Sequence, residues 1–434
     1  MSSNSGLSYL DEHIHQELRV YMRLYVLLYA DDTIILAESA KDLQLSLDRL
    51  KEYCDKWSLK VNVSKTKIVI FSRGKVRKYP TFKLGSSIID VVDDYVYLGV
   101  TFNYNGSFRK AMDKQISQAK KAMFLLLQKV KILHLPLDII IELFDVCVVP
   151  VLLYGSEIWG FENVANIDIF HRNFLRLLLN SYQFTPKCML YGESNSIDMT
   201  TRINVKMISF WNKIRNSNTC KYSTRMCEFL SELRNKNDDT NFKWINKIRN
   251  ILEETSLLSS WQSNSINMTL LKDSCNNIFL RRWKDEVNQN SQCSFYELIK
   301  PLPKIEKYML DIRHSAKSNL LKFIMRNNHL PVTYNRFYEK YTYDDKCPLC
   351  KSGEVGNEIH YLFSCTFFNE ERLLHLPGSI KQNYDIDNKL ALSQLLTSSN
   401  DDLISLSFFV KIIMKYFRRF KKYNQSHKKT KLVS

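Results

Sequence analysis

Two adjacent carboxylates, Asp31 and Asp32, stand between two apolar runs, and this arrangement constrains the chain more than any other feature. Residues 24–28 precede the pair and residues 33–36 follow it. Short apolar runs on either side of a polar turn are typical of a β-hairpin. Two like charges held at its tip cost free energy unless a cation uses them. Carboxylate oxygens suit Mg²⁺, and pairs of such ions serve phosphoryl transfer.

The net charge is the second constraint. Over 434 residues, 62 Lys and Arg stand against 45 Asp and Glu, which gives a formal charge of +17. An excess of this size indicates a polyanionic partner, nucleic acid before an anionic membrane surface, although a lysine-rich solvated surface gives the same total. A hydrophobic content of 45% fits a globular chain, with room for roughly two to four domains.

Uninterrupted apolar stretches in the sequence are too short for a membrane span. The longest candidate, residues 139–159, contains three acidic residues and a proline, whereas a span needs about 18 apolar residues. The polar start at residues 1–6 lacks the apolar core of a signal peptide. We therefore expect an intracellular protein, nuclear or cytoplasmic, that is neither secreted nor membrane-bound.

Residues 39–102 predict a small sheet with one helix packed on it. Ser39 is placed to cap a helix over residues 42–57. Apolar residues recur along that helix at spacings of four and three, as on one buried face, at Leu43, Leu47, Leu50, Cys54 and Trp57. Short β segments are predicted at residues 59–63, 66–71, 82–84 and 95–102.

From residue 109 onward the pattern is helical. Apolar helices are predicted within residues 139–182, further helices over 200–340, and an amphipathic helix over 403–423. The polar stretch 214–242 is predicted to be a loop or linker. The helix that begins at Arg109 has a basic outer face. Such a face suits a nucleic-acid backbone but is also common on a plain solvated helix. Its cations are Arg109, Lys110, Lys114, Lys120 and Lys121.

Three cysteines and a histidine near the C-terminus have the spacing of a metal site. They form the pattern Cys-x2-Cys-x9-His-x4-Cys, at Cys347, Cys350, His360 and Cys365. Such a set can bind Zn²⁺ in a closed tetrahedral geometry, which organises a fold rather than catalysing a reaction. We therefore predict structural Zn²⁺.

Five segments in this order resemble the C-terminal half of a non-LTR (LINE-type) retrotransposon reverse transcriptase. They are the hairpin Tyr29-Ala30-Asp31-Asp32, the helix 42–57 with the run 59–67, the Tyr-Leu-Gly hairpin at residues 97–99, the helix that follows it, and residues 149–159. The Cys–His pattern lies where that family has a C-terminal zinc module. The resemblance implies an RNA-directed DNA polymerase in which Asp31 and Asp32 bind Mg²⁺.

The resemblance also indicates residues that contact nucleic acid. Lys65 and Lys67 fall in the run after the helix, and Tyr97, Leu98 and Gly99 in a primer-grip hairpin; the two lysines fit equally well as plain surface residues. The basic segment 411–431 carries nine Lys or Arg and no acid. It indicates an arm for phosphates, although a solubilising or nuclear-import tail has the same composition. Its candidate contacts are Lys415, Arg418, Arg419, Lys421 and Lys422.

Polymerisation through two metals needs carboxylates from two separate strands. The family places the other Asp on an earlier strand, whereas here 30 residues precede Asp31, and their one acidic pair is Asp11-Glu12. We therefore expect a retrotransposon fragment that binds RNA or DNA but does not polymerise alone. Two alternatives stay open: a co-opted, non-enzymatic RNA- or DNA-binding zinc protein, and a split enzyme completed by a second chain.

Together these observations predict an α+β fold, with a truncated palm sheet followed by a mostly helical region and a small zinc module. The predicted domains are a partial palm at residues 1–104, a thumb and connection at 105–182, a helical region at 183–340, a zinc module at 341–372 and a basic helical arm at 373–434.

Overall fold

The structure is a computed structural model and describes most of the chain. The described residues are 26–72, 74, 78–216, 221–236, 242–261, 265–310, 314–326, 328, 330–332, 345–350, 352–377 and 388–431. Two compact units divide the chain, each assembled from separated stretches. The first draws on Met1–Ser117, Gly155–Asn163 and Lys206–Ile266, and the second on Gln118–Tyr154, Val164–Val205 and Asn267–Ser434.

The predicted Asp–Asp hairpin is confirmed. Strand β1 (Val26–Tyr29) pairs antiparallel with β2 (Asp32–Ile35), and Tyr29 faces Asp32 across the closing pair. Ala30 and Asp31 form the two-residue turn, with Ala30 at a φ of 52°. Such left-handed turns match the twist of the paired strands.

Helix α1 (Ala40–Lys56) packs on a three-stranded sheet and forms the core of the first unit. The Ser39 side chain caps the helix by accepting from the Asp42 amide at 3.1 Å, as predicted. The sheet has the order β3 (Lys67–Ile68), β5 (Ser87–Val91), β4 (Phe82–Leu84). The core residues of this layer are Leu47, Ile68, Phe82, Leu84 and Ile89.

Two predictions in this region were wrong. Trp57 is 60% exposed because it follows the last helical residue, so its side chain leaves the buried face; the ring instead lies 6.3 Å from Tyr53. Residues 59–63 form no strand because the Asn62 carbonyl is used by a turn, in which it accepts from the amides of Lys65 and Thr66.

A second hairpin, β6 (Asp94–Tyr97) with β7 (Val100–Asn103), closes the strand region as predicted. Leu98 and Gly99 form its turn, with φ values of 46° and 80°. Glycine tolerates this conformation freely, whereas a leucine in it is strained.

α-Helices dominate the rest of the described chain, so the mixed α+β fold with a helical C-terminal region is confirmed. They are α2 (Arg109–Leu133), α3 (Leu137–Cys147), α4 (Val149–Leu152), α5 (Ser156–Trp159), α6 (Ala165–Leu178), α7 (Lys187–Ser194), α8 (Met199–Arg215), α9 (Lys221–Lys236), α10 (Lys243–Glu254), α11 (Met268–Gln289), α12 (Ser294–Ile299), α13 (Lys307–Leu310), α14 (His314–Ile324), α15 (Asn369–His375), α16 (Asn388–Leu396) and α17 (Asn400–Lys431). Helix α9 replaces most of the loop predicted over residues 214–242, because Cys227 and Phe229 give it a buried side.

The second unit is organised around the buried helix α7. Gly192 on this helix lets Tyr296 approach so closely that an added Cβ would lie 2.2 Å from its hydroxyl. Beside it, Lys300 is buried and lies between Glu193 at 3.5 Å and Glu306 at 3.4 Å. Buried charges are costly unless paired, and here each ammonium and carboxylate has a partner.

Helix α17 packs along α14 in the same unit. Its buried side is apolar, as the predicted amphipathic pattern requires, and Leu403, Phe409, Ile413 and Phe417 are each at most 2% exposed. None of the helices in the described part of the chain combines the length and apolarity that crossing a membrane requires.

Candidate functional site

Asp31 and Asp32 lie at the exposed tip of the first hairpin, as predicted. Asp31 belongs to the turn and Asp32 begins β2 opposite Tyr29. Both carboxylates face solvent, so they are free to bind a hydrated cation. Within the residues that the structure describes, no third acidic, His or Cys side chain joins them to complete a cluster of three ligands.

The residues of the predicted primer-grip region come together in the first unit. The Tyr95 hydroxyl donates to the Lys65 carbonyl at 3.3 Å, which holds the turn carrying Lys65 beside the β6–β7 hairpin. Leu98 at the tip of this hairpin is 39% exposed. Lys65 is exposed, whereas Lys67 pairs with Asp90 at 2.6 Å and is therefore already engaged.

Two basic helix faces are also visible. Lys120 and Lys121 are exposed on α2, whereas Lys110 nearer its start forms an ion pair with Asp94. On α17, Lys415 and Arg418 are exposed on the side opposite the buried residues. Three further predicted contacts, Arg419, Lys421 and Lys422, belong to this helix, and their side chains lie outside the described residues.

The four predicted zinc ligands lie together. The ligand atoms of Cys347, Cys350, His360 and Cys365 are all within 4.8 Å of one another. The sulfurs of Cys347 and Cys365 are 3.8 Å apart, and Cys350 Sγ is 3.4 Å from His360 Nε2. A tetrahedral ion with metal–sulfur bonds of about 2.3 Å separates two sulfurs by about 3.8 Å. The spacing therefore fits a metal of the size of Zn²⁺.

Local backbone bonds shape this loop. The Cys347 amide donates to the Glu354 carbonyl at 2.7 Å, and the Cys365 amide to the His360 carbonyl at 2.7 Å. Gly353 takes a φ of 80° where the loop reverses, a conformation that favours glycine. Gly356 lies against Tyr361, and an added Cβ would lie 2.3 Å from its hydroxyl.

Glu354 holds the ring of His360 in the cluster. Its carboxylate lies 2.6 Å from His360 Nδ1, so Nε2 is the nitrogen left to face the three sulfurs. A carboxylate behind a ligating histidine fixes the ring and raises its basicity. Sequence reasoning missed Glu354, although an acidic residue between the ligands of a basic chain was a usable signal.

The thiols of the cluster differ in acidity. Burial acts to raise the pKa of Cys350, but hydrogen bonding with the Ser352 side chain and amide, with contributions from Cys347 and His360, lowers it to about 6. Burial raises the pKa of Cys365 to about 12, and the neighbouring thiol of Cys347 adds to that effect. A bound cation would favour the thiolate form of both.

Two arginines connect the Cys–His cluster to the surrounding helices. Arg326, which follows α14, pairs with the buried carboxylate of Glu358 at 3.0 Å. The Arg372 guanidinium on α15 donates to the carbonyls of Leu362 and Cys365, each at 2.8 Å. The cluster is therefore integrated into the helical core of the second unit.

The first hairpin, the helix on a small sheet and nearly all of the second hairpin lie within one stretch of the chain that a family model covers. Residues 3–102 match the family model of reverse transcriptases (RNA-dependent DNA polymerases). The chain therefore contains a reverse transcriptase region, as its resemblance to the non-LTR, LINE-type family predicted.

Relatives carry transposon names. An uncharacterized transposon-derived protein of Caenorhabditis elegans is 28% identical over 35% of this chain and 55% of its own. The probable RNA-directed DNA polymerase from transposon BS of Drosophila melanogaster is 27% identical over 38% of this chain and 20% of its own. The RNA-directed DNA polymerase from mobile element jockey of Drosophila funebris is 29% identical over 30% of this chain and 15% of its own. The chain thus spans about half or less of the length of the relatives it matches.

Proposed function

We propose that this chain binds RNA or DNA as the reverse transcriptase part of a LINE-type retrotransposon. One observation carries the proposal. The region that matches the reverse transcriptase family has an exposed pair of carboxylates, Asp31 and Asp32, at the tip of its first hairpin. Carboxylates at a strand turn suit Mg²⁺, which in such enzymes neutralises the charge that develops during phosphoryl transfer.

The β6–β7 turn supports a nucleic-acid contact. Leu98 adopts a left-handed φ of 46° and is 39% exposed. The hairpin therefore presents part of an apolar side chain at a strained turn, where a bound nucleic acid would contact it. Lys65, held beside this hairpin by Tyr95, would supply a charge for the phosphate backbone.

The chain alone, we propose, does not extend a primer. Asp31 and Asp32 would hold part of a two-ion centre, which needs a further carboxylate from a separate strand. Among the described residues no such group joins them. Polymerisation would then depend on a carboxylate from outside the described residues.

Zn²⁺ is the metal proposed for the Cys–His cluster. Three thiolates and one imidazole are soft or borderline ligands that select zinc over Mg²⁺ or Ca²⁺. All four positions would be filled by protein, so the ion would stabilise the second unit and leave no open position for a substrate.

The proposal is tested by oligonucleotide binding over a salt titration. The logarithm of the association constant for a primer–template duplex should fall linearly with the logarithm of the salt concentration. The reason is that each neutralised phosphate releases counterions. The matched variants are Lys120→Gln, which should reduce the slope, and Lys110→Gln, whose lysine is already paired with Asp94 and should reduce it less. An affinity that does not change with salt would contradict the proposal.

Primer extension tests the second part. With Mg²⁺ and deoxynucleotides, the purified chain should add no nucleotide above the background of an Asp31→Asn/Asp32→Asn variant. Incorporation that the wild-type chain shows and the variant lacks would refute the proposal that this chain alone does not extend a primer.

A further inference from the structure

An open groove in the first unit is lined by three stretches that are distant in sequence. Its volume is about 490 Å³, within the roughly 300–1,000 Å³ range of small-ligand sites. Its walls include Asn105, Phe161, Glu162, Phe242, Lys243 and Trp244. We call this the aromatic groove, because three of its side chains are aromatic rings and half-buried.

The aromatic rings of the groove are held in place by their own contacts. Trp244 Nε1 donates to the Glu157 carbonyl at 2.8 Å, and its ring meets Phe210 edge-on at 6.5 Å. Phe161 meets Phe108 edge-on at 5.9 Å. Rings fixed before binding lose little freedom when a flat ligand stacks on them.

Polar groups border the same groove. One oxygen of Glu162 accepts from the Phe108 amide at 3.4 Å, and this carboxylate has further acceptor capacity. The Asn105 side-chain oxygen accepts from the Ser107 amide at 2.9 Å, which leaves the amide nitrogen of Asn105 as a donor. Lys243 is exposed at the edge. The groove thus combines a flat apolar surface with an anionic acceptor, a neutral donor and a cation.

We propose that the aromatic groove binds one unstacked base of a single-stranded nucleic acid and favours guanine. This inference rests on the proposed nucleic-acid binding and names a subsite for it. The base would stack on the Trp244 and Phe161 side of the groove, as bases do on aromatic residues in single-strand binding proteins. Lys243 would contact the adjoining phosphate.

Guanine is favoured by the arrangement of donors and acceptors. Its N1–H and N2–H₂ groups are two adjacent donors, which match the carboxylate of Glu162, and its O6 can accept from the Asn105 amide. Adenine and cytosine each offer a single amino group beside an acceptor, and uracil and thymine offer one N–H between two carbonyls. In each of these four bases an acceptor atom would face the Glu162 carboxylate. The two partial negative charges would repel, which weakens binding.

The test uses eight-residue oligothymidylates that carry a single variable base at the centre. Fluorescence anisotropy with the full chain should give tighter binding for the guanine oligomer than for those with adenine, cytosine or thymine. Hypoxanthine keeps N1–H and lacks the second donor, so its oligomer should bind with intermediate affinity. Equal affinities for all five oligomers would refute the preference for guanine.

Substitutions locate the effect. Trp244→Ala should weaken binding of the guanine oligomer by about five-fold or more, the lower end of base–aromatic stacking, whereas Trp244→Phe should retain most of the affinity. The control is Trp57→Ala, at a tryptophan in the same unit that is 60% exposed. A loss for Trp57→Ala as large as for Trp244→Ala would overturn the assignment to the aromatic groove.

Glu162→Gln tests whether the carboxylate of Glu162 recognises guanine. This variant should no longer prefer guanine, because one of the two carboxylate acceptors becomes a donor and now faces one of guanine's two donors. A guanine preference that survives the substitution would refute the role of Glu162. The two proposals also fail differently. If the chain binds no oligomer at low salt, the proposed nucleic-acid binding is wrong. If it binds in a salt-dependent way, but with the same affinity for every central base and for the Trp244→Ala variant, only the proposed base site in the aromatic groove is wrong.

Discussion

Arg326 and Glu358 form a two-pronged ion pair inside the second unit, with Nη2–Oε2 at 3.0 Å and Nε–Oε1 at 3.2 Å. The remaining Arg326 nitrogen lies 3.3 Å from the Gln292 carbonyl, and Asn328 donates to Glu358 at 3.2 Å. Both charges are therefore fully partnered away from water. The pair fixes the end of α14 to the loop between Gly356 and His360.

Removing one member of this pair should be far more costly than removing both. Arg326→Met leaves the Glu358 carboxylate buried without its cation, which we expect to lower the free energy of unfolding by about 3–5 kcal/mol. The double variant Arg326→Met/Glu358→Leu should lose less than either single variant. Urea unfolding followed by circular dichroism measures the difference. Asp55→Asn, in the exposed Lys51 pair, is the control and should change stability by less than about 1 kcal/mol.

Gly356→Ala should disturb the Cys–His loop through Tyr361. The added methyl group would meet the Tyr361 hydroxyl at 2.3 Å, and crowding of this kind costs about 1–3 kcal/mol. Adding Tyr361→Phe removes the oxygen and should recover part of the loss. Thermal unfolding of the single and double variants checks this. A double variant no more stable than Gly356→Ala would show that the clash lies elsewhere.

Glu354→Gln should weaken metal binding without unfolding the unit. The substitution keeps the size of the side chain but removes the charge that orients His360 across 2.6 Å. Loss of such a partner typically lowers metal affinity about 10- to 100-fold. Competition with a chromophoric zinc chelator gives the ratio. Glu370→Gln, on the exposed start of α15, is the matched control and should bind zinc like the wild-type chain.

Acid should destabilise the second unit through His171. Burial, followed by the charges of Arg202 and Arg172, lowers the pKa of His171 from 6.5 to about 3. The folded state therefore holds a neutral ring that an unfolded chain protonates below pH 6.5. Its stabilising contribution is complete above that pH and is lost progressively as the pH falls towards 3. At pH 5 the loss amounts to about 2 kcal/mol.

A His171→Leu variant isolates this effect. The ring stacks on Phe144 at 5.6 Å and faces Tyr191 at 5.7 Å, so an apolar replacement suits the surroundings. Between pH 6.5 and 4.5, the variant should lose less stability than the wild-type chain in denaturant titrations. Parallel pH profiles for the two proteins would contradict the assignment.

Leu98→Asn should separate stability from binding. Asparagine followed by glycine is the preferred pair for a turn with two left-handed residues, so the hairpin should be as stable as before or slightly more so. Affinity for a primer–template duplex should fall, because the exposed leucine side chain is lost. Equal affinity in wild type and variant, measured by anisotropy, would show that Leu98 has no part in binding.

The regular parts of the fold were predictable because their signals are local. Ser39 with a four-and-three repeat gives α1, and two apolar runs around Asp31 give the first hairpin. Trp57 was misassigned because one residue decides whether a side chain continues a helical face or leaves it at the C-cap. The strand expected at residues 59–63 failed because the turn at Asn62 uses the same backbone groups.

The Cys–His cluster likewise has features that the sequence predicts and contacts that it does not. Its four members could be grouped from spacing alone, because closely spaced Cys and His residues are typical of a metal site. Glu358 and Arg326 are 32 residues apart, and no local pattern links them. Their pairing follows from how α14 packs in the second unit, and the aromatic groove likewise depends on contacts between residues remote in sequence.

Tyr361 links the Cys–His cluster to helix α17. Tyr361 directly follows His360 in the sequence, and its ring contacts the His360 ring edge-on. The same ring lies 4.8 Å from the ring of Phe417 on α17. The exposed cations Lys415 and Arg418 flank Phe417 on that helix. Because Tyr361 contacts both His360 and Phe417, a change that disorders the Cys–His loop should also loosen the packing of α17 and so alter where these two cations are held.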